Sequence, residues 1–146
     1  MIAKNNPFNI RYNKSNNWKG QEGQTKGFCN FISLDYGLRA GFIILRNYVY
    51  KKDLWTVKKV VDRYAPPSEN NTSAYISFVS DCLRSNGFNP DNLRTAWVLV
   101  FDKVFFYLCK SILKYETGYV LTFIDYMRVI NNFGIKKELY GTLRDS

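Results

Sequence analysis

The sequence predicts an α+β fold that is mainly helical, with a small β-hairpin near the N-terminus. From Asp35 onward, apolar residues recur at helical spacing. Before that point the chain is polar and rich in turn residues, with Gly20, Gly23 and Gly27 after an asparagine-rich stretch. Because 46% of the 146 residues are hydrophobic, the chain can bury a core, and we expect a single domain over residues 1–146.

The β element is predicted from the turn-rich first third. The run Phe28-Cys29-Asn30-Phe31-Ile32 lies among these turns and has the composition of a short strand. We therefore place a small hairpin, or two, in this region.

The helices are predicted from the spacing of apolar residues and from their boundary residues. The first carries Leu38, Phe42, Leu45 and Val49. Four more helices follow. The first of them runs from Val57 to Tyr64 and is ended by Ala65-Pro66-Pro67, and the second is capped by Thr72 and closed by Gly87. A long apolar helix then runs from Asp91 to about Thr117-Gly118, and a last helix carries Val120, Phe123, Ile124, Met127 and Ile130 to Gly134.

The charge is strongly positive, with 21 Lys and Arg against 12 Asp and Glu, or +9 overall. Such a charge favours an anionic partner: nucleic acid, an anionic membrane surface or an acidic wall polymer. The basic residues are scattered and no nucleic-acid-binding motif accompanies them, so we do not expect a nucleic-acid partner. The apolar stretch from Ala96 to Leu113 is interrupted by Asp102, Lys103 and Lys110, which favours a buried helix over a membrane span.

The absence of histidine limits the chemistry. Without histidine there is no Ser-His-Asp triad and no Cys-His pair, and the three widely spaced cysteines lack metal-finger spacing. Cys82 and Cys109 lie among apolar residues, which is typical of buried thiols made in a reducing compartment. We expect no metal and no cofactor, and acid–base chemistry must come from carboxylates, tyrosine or lysine.

Two carboxylates are candidates. Glu116 ends the long apolar helix between Tyr115 and Thr117-Gly118, where the helix dipole and an apolar surround favour the protonated form that a general acid needs. The alternative is that Glu116 points into water at a frayed helix end. Glu69 precedes a helix N-terminus, where an ionised carboxylate is favoured; it either caps that helix or orients a sugar or water.

Several motifs together resemble a family of phage and prophage proteins that are usually described as virion or structural proteins of lysozyme-like, wall-degrading character. The resemblance covers roughly the first 80 residues. It is carried by Asn5-Asn6-Pro7-Phe8-Asn9-Ile10-Arg11, Trp18-Lys19-Gly20, Tyr36-Gly37-Leu38-Arg39-Ala40 and Ala65-Pro66-Pro67-Ser68-Glu69-Asn70-Asn71-Thr72.

This chain departs from the family pattern at four positions. Phe8 replaces a glycine and Tyr64 replaces a tryptophan. At the late helix end, where the family has histidine-glutamate-asparagine-glycine, this chain has Tyr115-Glu116-Thr117-Gly118. The glutamate and the glycine are retained, whereas both flanking polar residues differ.

The resemblance implies a lysozyme-like domain that cleaves the glycan strands of peptidoglycan, as a lysozyme, glucosaminidase or lytic transglycosylase. Glu116 would be the catalytic acid and Glu69 the second catalytic group. The substrate-binding candidates are Asn6, Asn9, Arg11, Trp18, Tyr36, Tyr64 and Tyr115. The alternative is a non-catalytic virion, tail or wall-binding protein on the same fold.

The resemblance also implies partners and a place of action. The partners would be peptidoglycan glycan strands and other phage virion proteins. Residues 1–7 lack the apolar core of a signal peptide. We therefore expect synthesis in the cytoplasm and action at the cell wall after release or as part of a virion.

A further hypothesis concerns the order of the motifs. Bacterial endo-β-N-acetylglucosaminidases of the flagellar type have the same pieces in a rotated order, with the glutamate helix first instead of last. The chain is thus similar to a circular permutation of them, which is tolerated when termini lie close together at the surface. This hypothesis requires Glu116 to lie beside the turn from Asn6 to Arg11.

Overall fold

The computed structural model describes residues 1–94 and 98–135. In this part of the chain, a two-stranded antiparallel hairpin precedes five α-helices. The elements are β1 (Gln21–Thr25), β2 (Phe28–Phe31), α1 (Leu34–Tyr50), α2 (Val57–Tyr64), α3 (Thr72–Ser85), α4 (Val98–Thr117) and α5 (Phe123–Phe133). The predicted α+β, mainly helical class with an N-terminal hairpin is confirmed.

The hairpin turns at Lys26-Gly27, where both residues have positive φ, as a tight two-residue hairpin turn requires. The other edge of β2 is covered by the N-terminal segment: the Cys29 N–H donates to the Ile10 carbonyl at 2.9 Å, and Arg11 forms a bridge with Phe28. The strand therefore fixes where the N-terminal turn lies.

The core forms around α1 and α4. The apolar side of α1 is buried as predicted and includes Leu38, Phe42, Leu45 and Val49. The helix α3 packs against both α2 and α4, and α1 contacts α2, α4, α5 and β2. Cys109 in α4 is fully buried, as expected, whereas Cys82 is only half-buried.

The N-terminal turn approaches α1 closely because two of the helix's residues are glycines. A Cβ on Gly37 would lie 1.9 Å from the carbonyl oxygen of Asn5, and one on Gly41 would lie 2.0 Å from the Phe8 ring. The Phe8 ring is fully buried and meets Phe42 edge-on, with ring centroids 5.8 Å apart. The glycine of the Tyr36-Gly37-Leu38-Arg39-Ala40 motif thus makes room for the turn backbone.

The predicted start of the long helix at Asp91 is wrong. Residues 91–94 are not helical, and α4 begins at Val98. The side chains of Asn89 and Asn92 accept bonds from the Asp91 and Arg94 N–H groups, and Leu93 N–H donates to the Trp55 carbonyl. These bonds compete with a helical turn.

Two helix starts also differ from the prediction. Asn71, not Thr72, caps α3, because its side chain accepts from Ala74 N–H, while the Thr72 hydroxyl donates to the Ala65 carbonyl. Thr122 caps α5, so Val120 precedes that helix. Within α5, Ile124 is 80% exposed and the buried positions are Tyr126, Val129 and Ile130. Of the apolar residues that predicted this helix, Ile130 is thus buried and Ile124 is not.

Some predictions fall on parts of the chain outside the described residues. Ala96 and Trp97 of the apolar stretch are among them, as are residues 136–146, so the single domain over residues 1–146 stays a prediction. None of the helices in the described part of the chain is long and apolar enough to cross a membrane.

Candidate active site

The turn from Asn5 to Arg11 is held rigidly by Asn6. Its side-chain amide donates to the carbonyls of Ile10 and Cys29, both at 2.9 Å, and its oxygen accepts from the Ile10 N–H at 2.9 Å. Asn6 has no exposed surface, so it has no face to offer a ligand. We therefore reassign Asn6 from substrate contact to support of the turn.

The C-terminus of α4 docks on this turn and brings Glu116 with it. The Asn9 side-chain amide donates to Oε1 of Glu116 at 3.1 Å and to its carbonyl at 3.3 Å. The Thr117 hydroxyl donates to the Pro7 carbonyl at 2.8 Å. Glu116 thus lies beside the turn, as the permuted arrangement requires, and it is half-buried and bonded instead of free in water.

The second oxygen of Glu116 accepts a hydrogen bond from Tyr75, at 2.8 Å between Oη and Oε2. Burial, and then the charge of Glu116, raise the pKa of Tyr75, so its hydroxyl stays protonated and donates. The Tyr75 ring stacks on Tyr115, with centroids 4.0 Å apart. Both carboxylate oxygens are therefore fixed by neutral donors.

Tyr75 was not among the site residues predicted from the sequence. Nothing in the spacing of the residues links it to Glu116, which lies 41 residues away. The one indication available from sequence was general: a buried tyrosine hydroxyl needs a hydrogen-bond partner. The identity of that partner is set by the packing of α3 against α4.

Tyr64 also lies close to Glu116. Its hydroxyl donates to the carbonyl of Phe8 in the N-terminal turn. Burial raises the pKa of Tyr64 well above its usual range, and the charges of Glu116 and Tyr48 raise it further. Tyr64 therefore stays neutral and fastens α2 to the turn.

A cleft with a volume of about 580 Å³ opens beside Glu116. It is lined by Asn9, Ile10, Arg11, Asn16, Trp18, Phe28, Ile44, Asn47, Tyr48, Lys52, Tyr64, Ala65, Glu69, Asn70 and Glu116. The fold thus gathers two carboxylates, polar amides and aromatic rings from segments that are far apart in the chain. Among the predicted site residues, the cleft includes both glutamates together with Asn9, Arg11, Trp18 and Tyr64.

Glu69 lies at the exposed rim of this cleft. Its carboxylate pairs with the Arg11 guanidinium at 3.3 Å, and both side chains are more than half exposed. It does not cap α3, because Asn71 has that role. The loop before α3 is held by its own bonds, including Glu69 N–H to the Pro66 carbonyl at 3.0 Å.

Besides Asn6, two predicted substrate contacts do not line the cleft. The ring of Tyr36 packs against Gly20 and against Phe133, with ring centroids 5.1 Å apart in the second pair. Tyr115 stacks on Tyr75 and contacts Phe78, with its ring partly exposed. We reassign Tyr36 to packing of the hairpin and α5, and Tyr115 to support of Tyr75.

The replaced neighbours of Glu116 therefore have structural partners of their own. Tyr115 packs on the tyrosine that holds Oε2, and Thr117 ties the helix end to Pro7. Phe8, in place of the family glycine, fills the space between the turn and α1. The four departures thus leave the position of Glu116 supported by packing and hydrogen bonds.

Comparison with known proteins finds a similarity to a phage protein. Protein P5 of Pseudoalteromonas phage PM2 is 34% identical over 84 residues, which cover 55% of this chain and 52% of that protein. The chain thus spans about half the length of this relative. No model of a known protein family matches the chain. The similarity to a phage protein supports a phage origin for this chain.

Proposed function

We propose that this protein cleaves the glycan strands of peptidoglycan, with Glu116 as the proton donor. The observation that carries the proposal is the placement of Glu116: a half-buried carboxyl at the wall of a cleft, held at one oxygen by Asn9 and at the other by Tyr75. A carboxylic acid positioned in a cleft is the standard donor for glycoside cleavage.

The two hydrogen bonds suggest which oxygen carries the proton. Tyr75 is almost fully buried and does not line the cleft, so Oε2 points toward the protein interior. Asn9 lines the cleft and bonds Oε1. A proton on Oε1 can therefore reach a glycosidic oxygen while Asn9 still donates to the same atom.

In the reaction, the proton passes from Glu116 to the glycosidic oxygen as the bond from that oxygen to the anomeric carbon breaks. The positive ring is then attacked by water, or by its own 6-hydroxyl in a lytic transglycosylase, and the proton released returns to Glu116. Glu69, paired with Arg11, would stabilise the positive ring or position the water. The positive charge of the protein would aid attachment to anionic wall polymers.

The proposal is tested by replacing Glu116 with glutamine and measuring the products released from purified sacculi. Loss of a general acid costs about 100-fold or more, so Glu116→Gln should release almost no soluble fragments. Glu22→Gln is the matched control, because Glu22 lies on β1, pairs with Lys4 and does not line the cleft. Equal release by wild type and Glu116→Gln would contradict the mechanism. Mass spectrometry of the ends of the released glycan fragments distinguishes hydrolysis from transglycosylation.

A second candidate is a non-catalytic virion or wall-binding protein of a phage. The observation that favours it is that both neighbours of Glu116 serve the fold: Tyr115 stacks on Tyr75 and Thr117 bonds to Pro7, where the family that the sequence resembles has histidine and asparagine. Wild-type protein that sediments with sacculi and releases no fragments across pH and salt would favour this function.

A further inference from the structure

We propose that Lys52 recognises a carboxylate of the substrate and so selects acidic glycan over neutral glycan. This inference rests on the proposed function and concerns the same cleft. Lys52 follows α1 and lines the cleft with an exposed side chain.

The charges in the cleft are not all compensated. Its charged lining residues are Arg11, Lys52, Glu69 and Glu116. Arg11 pairs with Glu69 at 3.3 Å, and Glu116 is bonded by the neutral groups of Asn9 and Tyr75. In the described part of the chain, Lys52 has no ion-pair or side-chain hydrogen-bond partner. It is therefore the cation left to meet an anionic group of a ligand.

Lys52 lies with groups that suit a sugar carrying a carboxylate. Asn47 and Tyr48 also line the cleft, in the last turn of α1. The Asn47 side-chain oxygen accepts hydrogen bonds from Nε and Nη2 of Arg46, at 3.2 and 2.8 Å. The amide nitrogen of Asn47 is left as a donor. Tyr48 offers a ring that Arg63 covers on one side, at 5.7 Å.

This group of residues lies within reach of the proposed acid. Glu116, Tyr64 and Tyr48 line the same cleft as Lys52, and Tyr64 is close enough to both Glu116 and Tyr48 for their charges to raise its pKa. A strand bound along this cleft would place one sugar near Glu116 and another near Tyr48 and Lys52. In peptidoglycan every second sugar carries a lactyl group that ends in a carboxylate or a peptide, whereas chitin has none. Lys52 would therefore bind this substituent.

The test measures binding in the Glu116→Gln background, so that the ligand stays intact. The probes are a peptide-free N-acetylglucosamine–N-acetylmuramic acid tetrasaccharide and a chitin tetrasaccharide of the same length. Lys52→Gln should weaken binding of the acidic ligand about 3- to 10-fold, as expected for a partly exposed charge-assisted hydrogen bond, and leave chitin binding unchanged. Lys51→Gln is the matched control, because it removes an adjacent exposed charge outside the cleft lining.

The outcomes separate this inference from the proposed function. Equal weakening for both ligands, an equal effect of Lys51→Gln, or no binding of the acidic ligand by the Glu116→Gln protein would overturn the role of Lys52. Discrimination by Lys52 together with no cleavage of sacculi by the wild type would support this role and contradict the enzymatic function. Cleavage of sacculi by the wild type, together with equal effects of Lys52→Gln on both ligands, would support the enzymatic function and contradict the role of Lys52.

Discussion

Tyr75→Phe removes one hydroxyl from the centre of the proposed mechanism and leaves the ring in place. The lost interaction is the 2.8 Å hydrogen bond from Tyr75 to Oε2 of Glu116. The stacking of the ring on Tyr115 is retained, since it does not involve the hydroxyl. The variant should therefore fold and still bind glycan, with a less well-oriented Glu116.

The size of the effect follows from the kind of bond. A buried hydrogen bond to a charged group contributes about 1.5–3 kcal/mol. Since about 1.4 kcal/mol changes a rate tenfold, loss of this orientation should lower kcat/KM about 10- to 100-fold.

The assay is release of soluble fragments from sacculi over a range of pH, with urea unfolding to check stability. Tyr107→Phe is the matched control, because Tyr107 is a half-buried tyrosine of α4 that does not line the cleft. It should keep the rate of the wild type. A Tyr75→Phe protein with the wild-type rate would refute the view that Tyr75 orients Glu116.

Two further predictions concern stability. A Gly→Ala change such as Gly37→Ala would normally stabilise a helix. Here the new Cβ would lie 1.9 Å from the Asn5 carbonyl oxygen, so the free energy of unfolding, measured with urea, should fall by about 1–3 kcal/mol. A rise in that free energy would contradict the close approach of the N-terminal turn to α1. Burial raises the pKa of the Cys109 thiol well above its usual value, so the folded protein holds this proton longer than the unfolded chain does. The associated stability is complete below about pH 8.5 and is lost as pH rises, by about 1.4 kcal/mol per pH unit for this thiol. Between pH 8.5 and 10, the unfolding free energy of Cys109→Val should therefore fall less steeply than that of the wild type, by about 1.4 kcal/mol per pH unit. An unchanged slope would contradict the raised pKa of the Cys109 thiol.

Much of the fold could be predicted from local patterns. The apolar spacing of Leu38, Phe42, Leu45 and Val49 indicated α1 because a helix buries residues on one face at that spacing. The start of α4 could not be predicted in this way. The asparagine turns at Asn89 and Asn92 and the bond from Leu93 to Trp55 depend on contacts that the spacing of apolar residues does not contain.

The candidate site was only partly predictable. Glu116 and Asn9 were named from motifs, and the structure brings them within hydrogen-bond distance. Asn6 and Gly37 belong to the same motifs but support the turn, because a motif does not distinguish a residue that holds a site together from one that faces the ligand. Lys52 carried no distinguishing pattern, since its importance depends on which charges around it are already paired.

The sequence by itself determined that the chain is mainly helical, that a hairpin lies near its N-terminus and that any acid–base chemistry must come from carboxylates, tyrosine or lysine. These properties depend on residue type and on short-range spacing. Only the tertiary structure decided that Glu116 lies between Asn9 and Tyr75, which are 107 and 41 residues away in the chain. Contacts over such separations are set by how α3, α4 and the N-terminal turn pack together, and no local pattern records that packing.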